Sequence, residues 1–306
     1  MNELAEKFLR ENYFYTYLKG RLNKGCEANF ENGILISGSS HALNGIQESV
    51  IPESVNCSMH SQDIFYDSLC VKYVLDGKKR DCNYSTCVLV MGYYMPFQDL
   101  SLSVKTRAAY IARTYYPIFH DSHNWEEPTI YDHWNFVDSL NVEDKIRYEE
   151  EAVRFSQGLY FYSDPFMKRK TIFDFSGRTW EELPADEKEA FGIKRAAQHN
   201  HLETHVDSFN DNLELIKNLK LYLEEKKIKM YVIVAPFTPQ YCKNVSPSMK
   251  NGFLRFMDMA EIPNVIDFND ERYNGIVDDS HFMDMDHLNE KGSYTLSEAL
   301  KKEITV

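Results

Sequence analysis

The stretch "GILISGSSHALNGI", residues 33–46, decides how the rest of the chain is read. Three apolar residues, Ile34, Leu35 and Ile36, run into Gly38, and then Ser39, Ser40 and His41 precede a segment of helical character at 42–50. An apolar run that stops at a glycine and restarts as a helix is the signature of a buried strand feeding a strand-to-helix turn. Either serine can cap that helix, because a side-chain oxygen satisfies orphan amides of the first turn. A serine at the end of a buried strand can also serve as a nucleophile. The residues elsewhere in the chain have to choose.

Outward from this stretch, strands and helices alternate. A short strand is expected at 54–59, a helix over 61–79 capped by Ser61, and a near-continuous apolar strand at 85–94, which suits a parallel strand covered on both faces. Alternation returns with a helix at 206–227, a strand at 229–237, a helix near 246–261, a strand at 264–269 and a last helix at 290–303. Such alternation predicts an α/β fold with a mostly parallel central sheet between two helical layers, α/β/α, whose ligands gather at the carboxyl ends of the strands. Residues 1–306 read as a single domain. Residues 95–205 lack clean alternation and read as a large, mainly helical, aromatic-rich insertion placed over that carboxyl edge. Its rings Tyr115, Tyr116, Trp125, Trp134 and Phe136 suit either the insertion's own core or a carbohydrate-stacking lid.

Composition narrows the function. A formal net charge of −13 is the wrong sign for a nucleic-acid surface, so no nucleic-acid partner is expected. No apolar run approaches the roughly 18 residues of a membrane span. The opening "MNELAEKFLRENYFYTYLKGRL" reads as an amphipathic helix without the pattern of a signal peptide. The six cysteines are scattered with no C-x-x-C pair and read as reduced core thiols, so a cytoplasmic protein is expected.

Near the C-terminus stands "DDSHFMDMDHLNEKG", residues 278–292. It follows the last strand, which puts it at the same sheet edge as Ser40. Asp284 and His287 are three residues apart, close enough for a carboxylate to fix an imidazole tautomer while the other ring nitrogen takes a serine proton. The neighbouring Asp278, Asp279, His281 and Asp286 read as a solvated acidic loop, and no metal or cofactor is expected. In "HNHLETH", His199, His201 and His205 read as solvent-facing rather than as a zinc half-site, since the glutamate of the H-E-x-x-H arrangement is missing.

"ISGSSHAL" after the first strand, with "DMDHLNEKG" before the last helix, resembles the SGNH/GDSL hydrolase superfamily. It is similar to the branch containing the teichoic-acid D-alanylation and alginate O-acetylation proteins. The resemblance implies a flavodoxin-like SGNH-hydrolase fold. It also implies a catalytic Ser40, with Asp284 as orienting acid and His287 as base. In the family a glycine amide after the second strand and an asparagine in G-x-N after the third complete the oxyanion hole. Here Ser58 stands at the former, and Gly92 and Tyr94 at the ends of the latter. These residues are the oxyanion or substrate-binding candidates, together with His41, which reads as an exposed neighbour of the nucleophile or a substrate contact. The implied activity is a serine-dependent esterase or acyl-transfer reaction on a small-molecule or glycan ester, rising with pH through a group near neutrality. The altered oxyanion positions leave a binding protein without activity as the alternative.

Overall fold

A computed structural model describes residues 13–102, 111, 114–121, 123–124 and 173–304. Trp125, Trp134 and Phe136 lie outside the described residues, as does much of the 95–205 insertion. Five strands, β1 (Gly33–Gly38), β2 (Ser54–Asn56), β3 (Tyr84–Met91), β4 (Lys229–Val234) and β5 (Val265–Asp267), form one sheet in the order β2-β1-β3-β4-β5. Every pairing is parallel. The order reverses between β1 and β3, and that is where an open α/β sheet leaves a crevice outside its strand ends.

The described helices are α1 (Tyr13–Glu27), α2 (Ser40–Gly45), α3 (Ile64–Gly77), α4 (Ala185–Asn200), α5 (Val206–Glu225), α6 (Pro239–Asn244), α7 (Pro247–Met259) and α8 (Glu290–Ile304), besides a single turn at Tyr116–Phe119. No described helix is long and apolar enough to cross a membrane. The chain divides into two compact units. One comprises Met1–Lys24 and Asp99–Lys168, and the other Gly25–Gln98 and Arg169–Val306. In the first, Asp99 accepts hydrogen bonds from Ser101 and Asn124, and Tyr115 is buried. The sheet and everything below belong to the second.

Alternation along the strands sorts the core. Ile36, Val88, Val90, Ile233 and Ile266 face a cluster with Ala42 and Ile46 near α2, Met285 and Leu288 from the loop before α8, and Leu296 and Leu300 of α8. The opposite side carries α3 against β1 and α5 against β4, giving the three layers. Helix signals were mostly local. Ser246 caps α7 through the amide of Met249, and Thr238 caps α6. The cap of α3 is Asp63 rather than Ser61. The Asp63 carboxylate accepts from the Tyr66 amide, while Ser61 sits at φ 55° in the preceding turn.

Candidate active site

The opening question has a local answer. Ser39 is the cap of α2, its hydroxyl accepting weakly from the His41 amide at 3.5 Å. Ser40 is therefore the first helical residue, with a side chain released from capping. Gly38 makes the turn possible. At φ 149° it occupies a region that only glycine enters readily, and a Cβ there would overlap the Val90 carbonyl of β3. The chain can thus pass tight against β3 and deliver Ser40 to the strand ends.

The second half of the site is a loop closed on itself. Phe282 and Leu288 form an antiparallel bridge, and the Met283 amide donates to the His287 carbonyl at 2.8 Å. Within it the Asp284 carboxylate accepts from the amides of Asp286 (3.1 Å) and His287 (2.9 Å) and from His287 Nδ1 at 2.9 Å. Three donors on one oxygen pin the carboxylate and fix the tautomer, because a carboxylate can only accept. The other ring nitrogen, Nε2, lies 2.8 Å from Ser40 Oγ. Ser40, His287 and Asp284 thus form one hydrogen-bonded chain across 247 residues of sequence.

The sequence reading missed what surrounds this chain. Asp286, expected in a solvated loop, is buried, and its Oδ1 stands 3.3 Å from His287 Nδ1 without a hydrogen bond of its own. Its Oδ2 accepts from Arg195 Nε at 2.8 Å and faces His41 Nε2 at 3.4 Å. His41 is not an exposed neighbour. It is 2% exposed, lies nearly parallel to His287 with ring centroids 5.0 Å apart, and faces Ser39 Oγ at 3.3 Å through Nδ1. The reason is packing: Phe237 and Tyr94 flank its ring. His199 is also buried rather than solvent-facing, stacked on Tyr94 with centroids 3.8 Å apart and paired with the Tyr241 hydroxyl at 2.6 Å. His201 is exposed, in a 3₁₀ turn, and His205 precedes α5, so the two do not share a helix. Arg195 carried no motif. Only its place on α4, four residues before His199, could have drawn attention to it.

The oxyanion candidates separate. Ser58 is fully buried just after β2, its hydroxyl lacks a partner, and the next amide, Met59, donates to the Gly38 carbonyl. Gly92 has a packing reason to be glycine, since a Cβ would meet the Tyr94 ring at 2.6 Å. Tyr94 folds back over it, its ring stacked on His199.

Electrostatics follow from these contacts. Burial pulls His287 down, but Asp284 and then Asp286 outweigh it and hold the ring at about 10. At an effective dielectric of about 20, each carboxylate near 3 Å attracts an imidazolium by on the order of 5 kcal/mol, so two can overcome one burial penalty. Asp286 is itself disfavoured by burial, yet His287 and Arg195 hold it well below the usual carboxylate range. Burial lowers His41 and His199, leaving both rings neutral. Donor atoms of His41, Asp286 and His287 lie within 4.8 Å of one another, a spacing a cation could use. The Arg195 guanidinium already neutralises that carboxylate and would repel a cation, so the cluster reads as a hydrogen-bonded one.

A scan against protein-family models finds no match to this chain, and a search of curated proteins finds none either.

Proposed function

We propose that this protein is a serine-dependent acyl-ester enzyme of the SGNH type, an esterase or O-acyltransferase acting on a small-molecule or glycan ester. One observation carries the reading: Ser40 Oγ is 2.8 Å from His287 Nε2 while His287 Nδ1 is 2.9 Å from the buried Asp284. In this reading Ser40 Oγ attacks the ester carbonyl carbon as its proton passes to Nε2 of the ring in its neutral form; with the ring held at about 10, turnover should rise in the alkaline range rather than near neutrality as an unperturbed imidazole would give. The tetrahedral intermediate collapses, the C–O bond to the alcohol breaks, and the imidazolium returns the proton to the leaving oxygen. Water or a sugar hydroxyl then takes the acyl group by the reverse sequence. Asp284 keeps the ring oriented and stabilises its charge. Ser58 suits the oxyanion, because a buried hydroxyl without an acceptor carries a penalty of about 1–3 kcal/mol that a developing negative oxygen would relieve. The six cysteines, none of them in a disulfide, favour a reducing, cytoplasmic setting, where small esters or glycan precursors are the available substrates.

The second reading is a binding protein without turnover. It is favoured by Tyr94, a buried phenol stacked on His199 where the family places an oxyanion asparagine. Labelling of folded protein with a fluorophosphonate separates the two. Modification at Ser40, abolished in Ser40→Ala and retained in Ser39→Ala, is the expected result. Unlabelled wild type, with no turnover of simple acyl esters, would leave the binding protein. Ser58→Ala should slow ester turnover by about tenfold to a hundredfold. If it instead stabilises the fold with turnover unchanged, Ser58 is only an unsatisfied core hydroxyl.

A further inference from the structure

We propose that Asp286 is a positioning residue that acts on Ser40 through His287, a second anion on the ring whose influence is set by Arg195 of α4. The inference rests on the acyl-ester reading for its consequence, but its geometry is independent of it. A single carboxylate, Asp284, already supplies the hydrogen bond that orients the ring. Asp286 adds a second negative charge 3.3 Å from the same nitrogen and makes no hydrogen bond through that oxygen. Its other oxygen is gripped by Arg195 Nε at 2.8 Å, from a helix 91 residues earlier. Charge is therefore what Asp286 contributes to His287, and Arg195 offsets part of it.

The groups facing His287 can be accounted for element by element. Its own loop supplies Asp284 and Asp286, α2 supplies Ser40 and His41, and α4 supplies Arg195 and His199. Tyr94 after β3 and Tyr241 of α6 face Asp286 and Arg195. Burial keeps both phenols protonated and both other imidazoles neutral. Among the described residues, the charges left to act on the ring are two carboxylates and one guanidinium. Removing Asp286 leaves Arg195 facing the ring and makes protonation harder. Removing Arg195 leaves Asp286 unscreened and makes it easier. A role limited to holding the loop in shape would not give opposite signs.

The test is the titration of the His287 ring, followed by nuclear magnetic resonance of histidine-labelled protein, alongside the pH dependence of fluorophosphonate labelling at Ser40. Asp286→Asn should move the His287 midpoint down by about 1–3 pH units. Arg195→Gln should move it up, and the double variant should return toward wild type. The labelling profile should follow the same shifts. Where Asp286→Asn does not fold, because Arg195 loses its carboxylate partner, Arg195→Gln and the double variant decide. An unchanged midpoint in Arg195→Gln, or shifts of the same sign in both single variants, overturns the proposal. Ring shifts of the expected signs with Ser40 unreactive in every variant would sink the acyl-ester reading and leave the charge control of His287 standing.

Discussion

Ser39 and Ser40 are the same residue type, one position apart, with different fates. Ser39 meets the amide and the ring of His41, while Ser40 points to His287. A buried carboxyl stands behind the same turn. Asp67 of α3 accepts from Ser37 Oγ at 2.6 Å and Gln62 Nε2 at 2.7 Å, while its other oxygen has no hydrogen-bond partner. Burial, outweighing these bonds, pushes Asp67 up to about 7. Below about pH 4 the carboxyl is neutral folded or unfolded, and its contribution to stability is complete. Between about pH 4 and 7 the unfolded chain ionises first, so that contribution is lost as pH rises. Asp67→Asn keeps the acceptor oxygen and stays neutral. Its melting temperature should therefore gain on wild type between pH 5 and 8, by the equivalent of a few kcal/mol. Parallel pH profiles for the two proteins would show that Asp67 ionises in the fold as it does unfolded.

At the scale of elements, His287 is held by the loop between β5 and α8 and by the "HLNEKG" that ends it. Asn289 donates to the carbonyls of Ser280 (2.8 Å) and Phe282 (3.2 Å) and accepts the Gly292 amide at 3.1 Å. Gly292 lets α8 approach the His281 carbonyl more closely than any Cβ would allow. One asparagine thus caps a helix and closes the loop that carries Asp284 and His287. Asn289→Ala should cost about 1–2 kcal/mol in urea unfolding. It should also lower turnover of a simple ester beyond what the unfolded fraction explains. Full activity per folded molecule would show that the Phe282–Leu288 bridge holds the loop alone.

Across the whole sheet-bearing unit, Ser40 and His287 meet because α2 and α8 pack on the same side of the sheet. Gln47, just past α2, ties them together. Its side-chain amide donates to the Glu290 carbonyl at 2.8 Å and Ser293 Oγ at 2.6 Å, and its backbone amide donates to Ser297 Oγ at 2.8 Å. Gln47→Ala removes the two side-chain bonds in a buried setting. An expected loss of about 1–3 kcal/mol, measured by denaturant midpoint, should come with slower Ser40 labelling. A destabilised variant that labels at the wild-type rate would place the alignment of the two halves elsewhere in the α2–α8 contact.

The α/β class, the parallel strands and most helix limits were legible in the sequence, because they rest on periodicity and on caps within three or four residues. So was the trio Ser40, Asp284 and His287, since each sits just outside a recognisable strand or helix. The surroundings of the trio were not. Asp286, Arg195, His41 and His199 each resemble ordinary surface residues, and nothing local reports that they are buried. Their burial depends on which distant groups cover them: Arg195 across 91 residues for Asp286, and Tyr241 across 42 for His199. Local pattern determines where a side chain starts, whereas the charge and solvent around it are set by every element packed against it. The basicity of His287, which in the acyl-ester reading decides when Ser40 reacts, is for that reason a property of the tertiary structure.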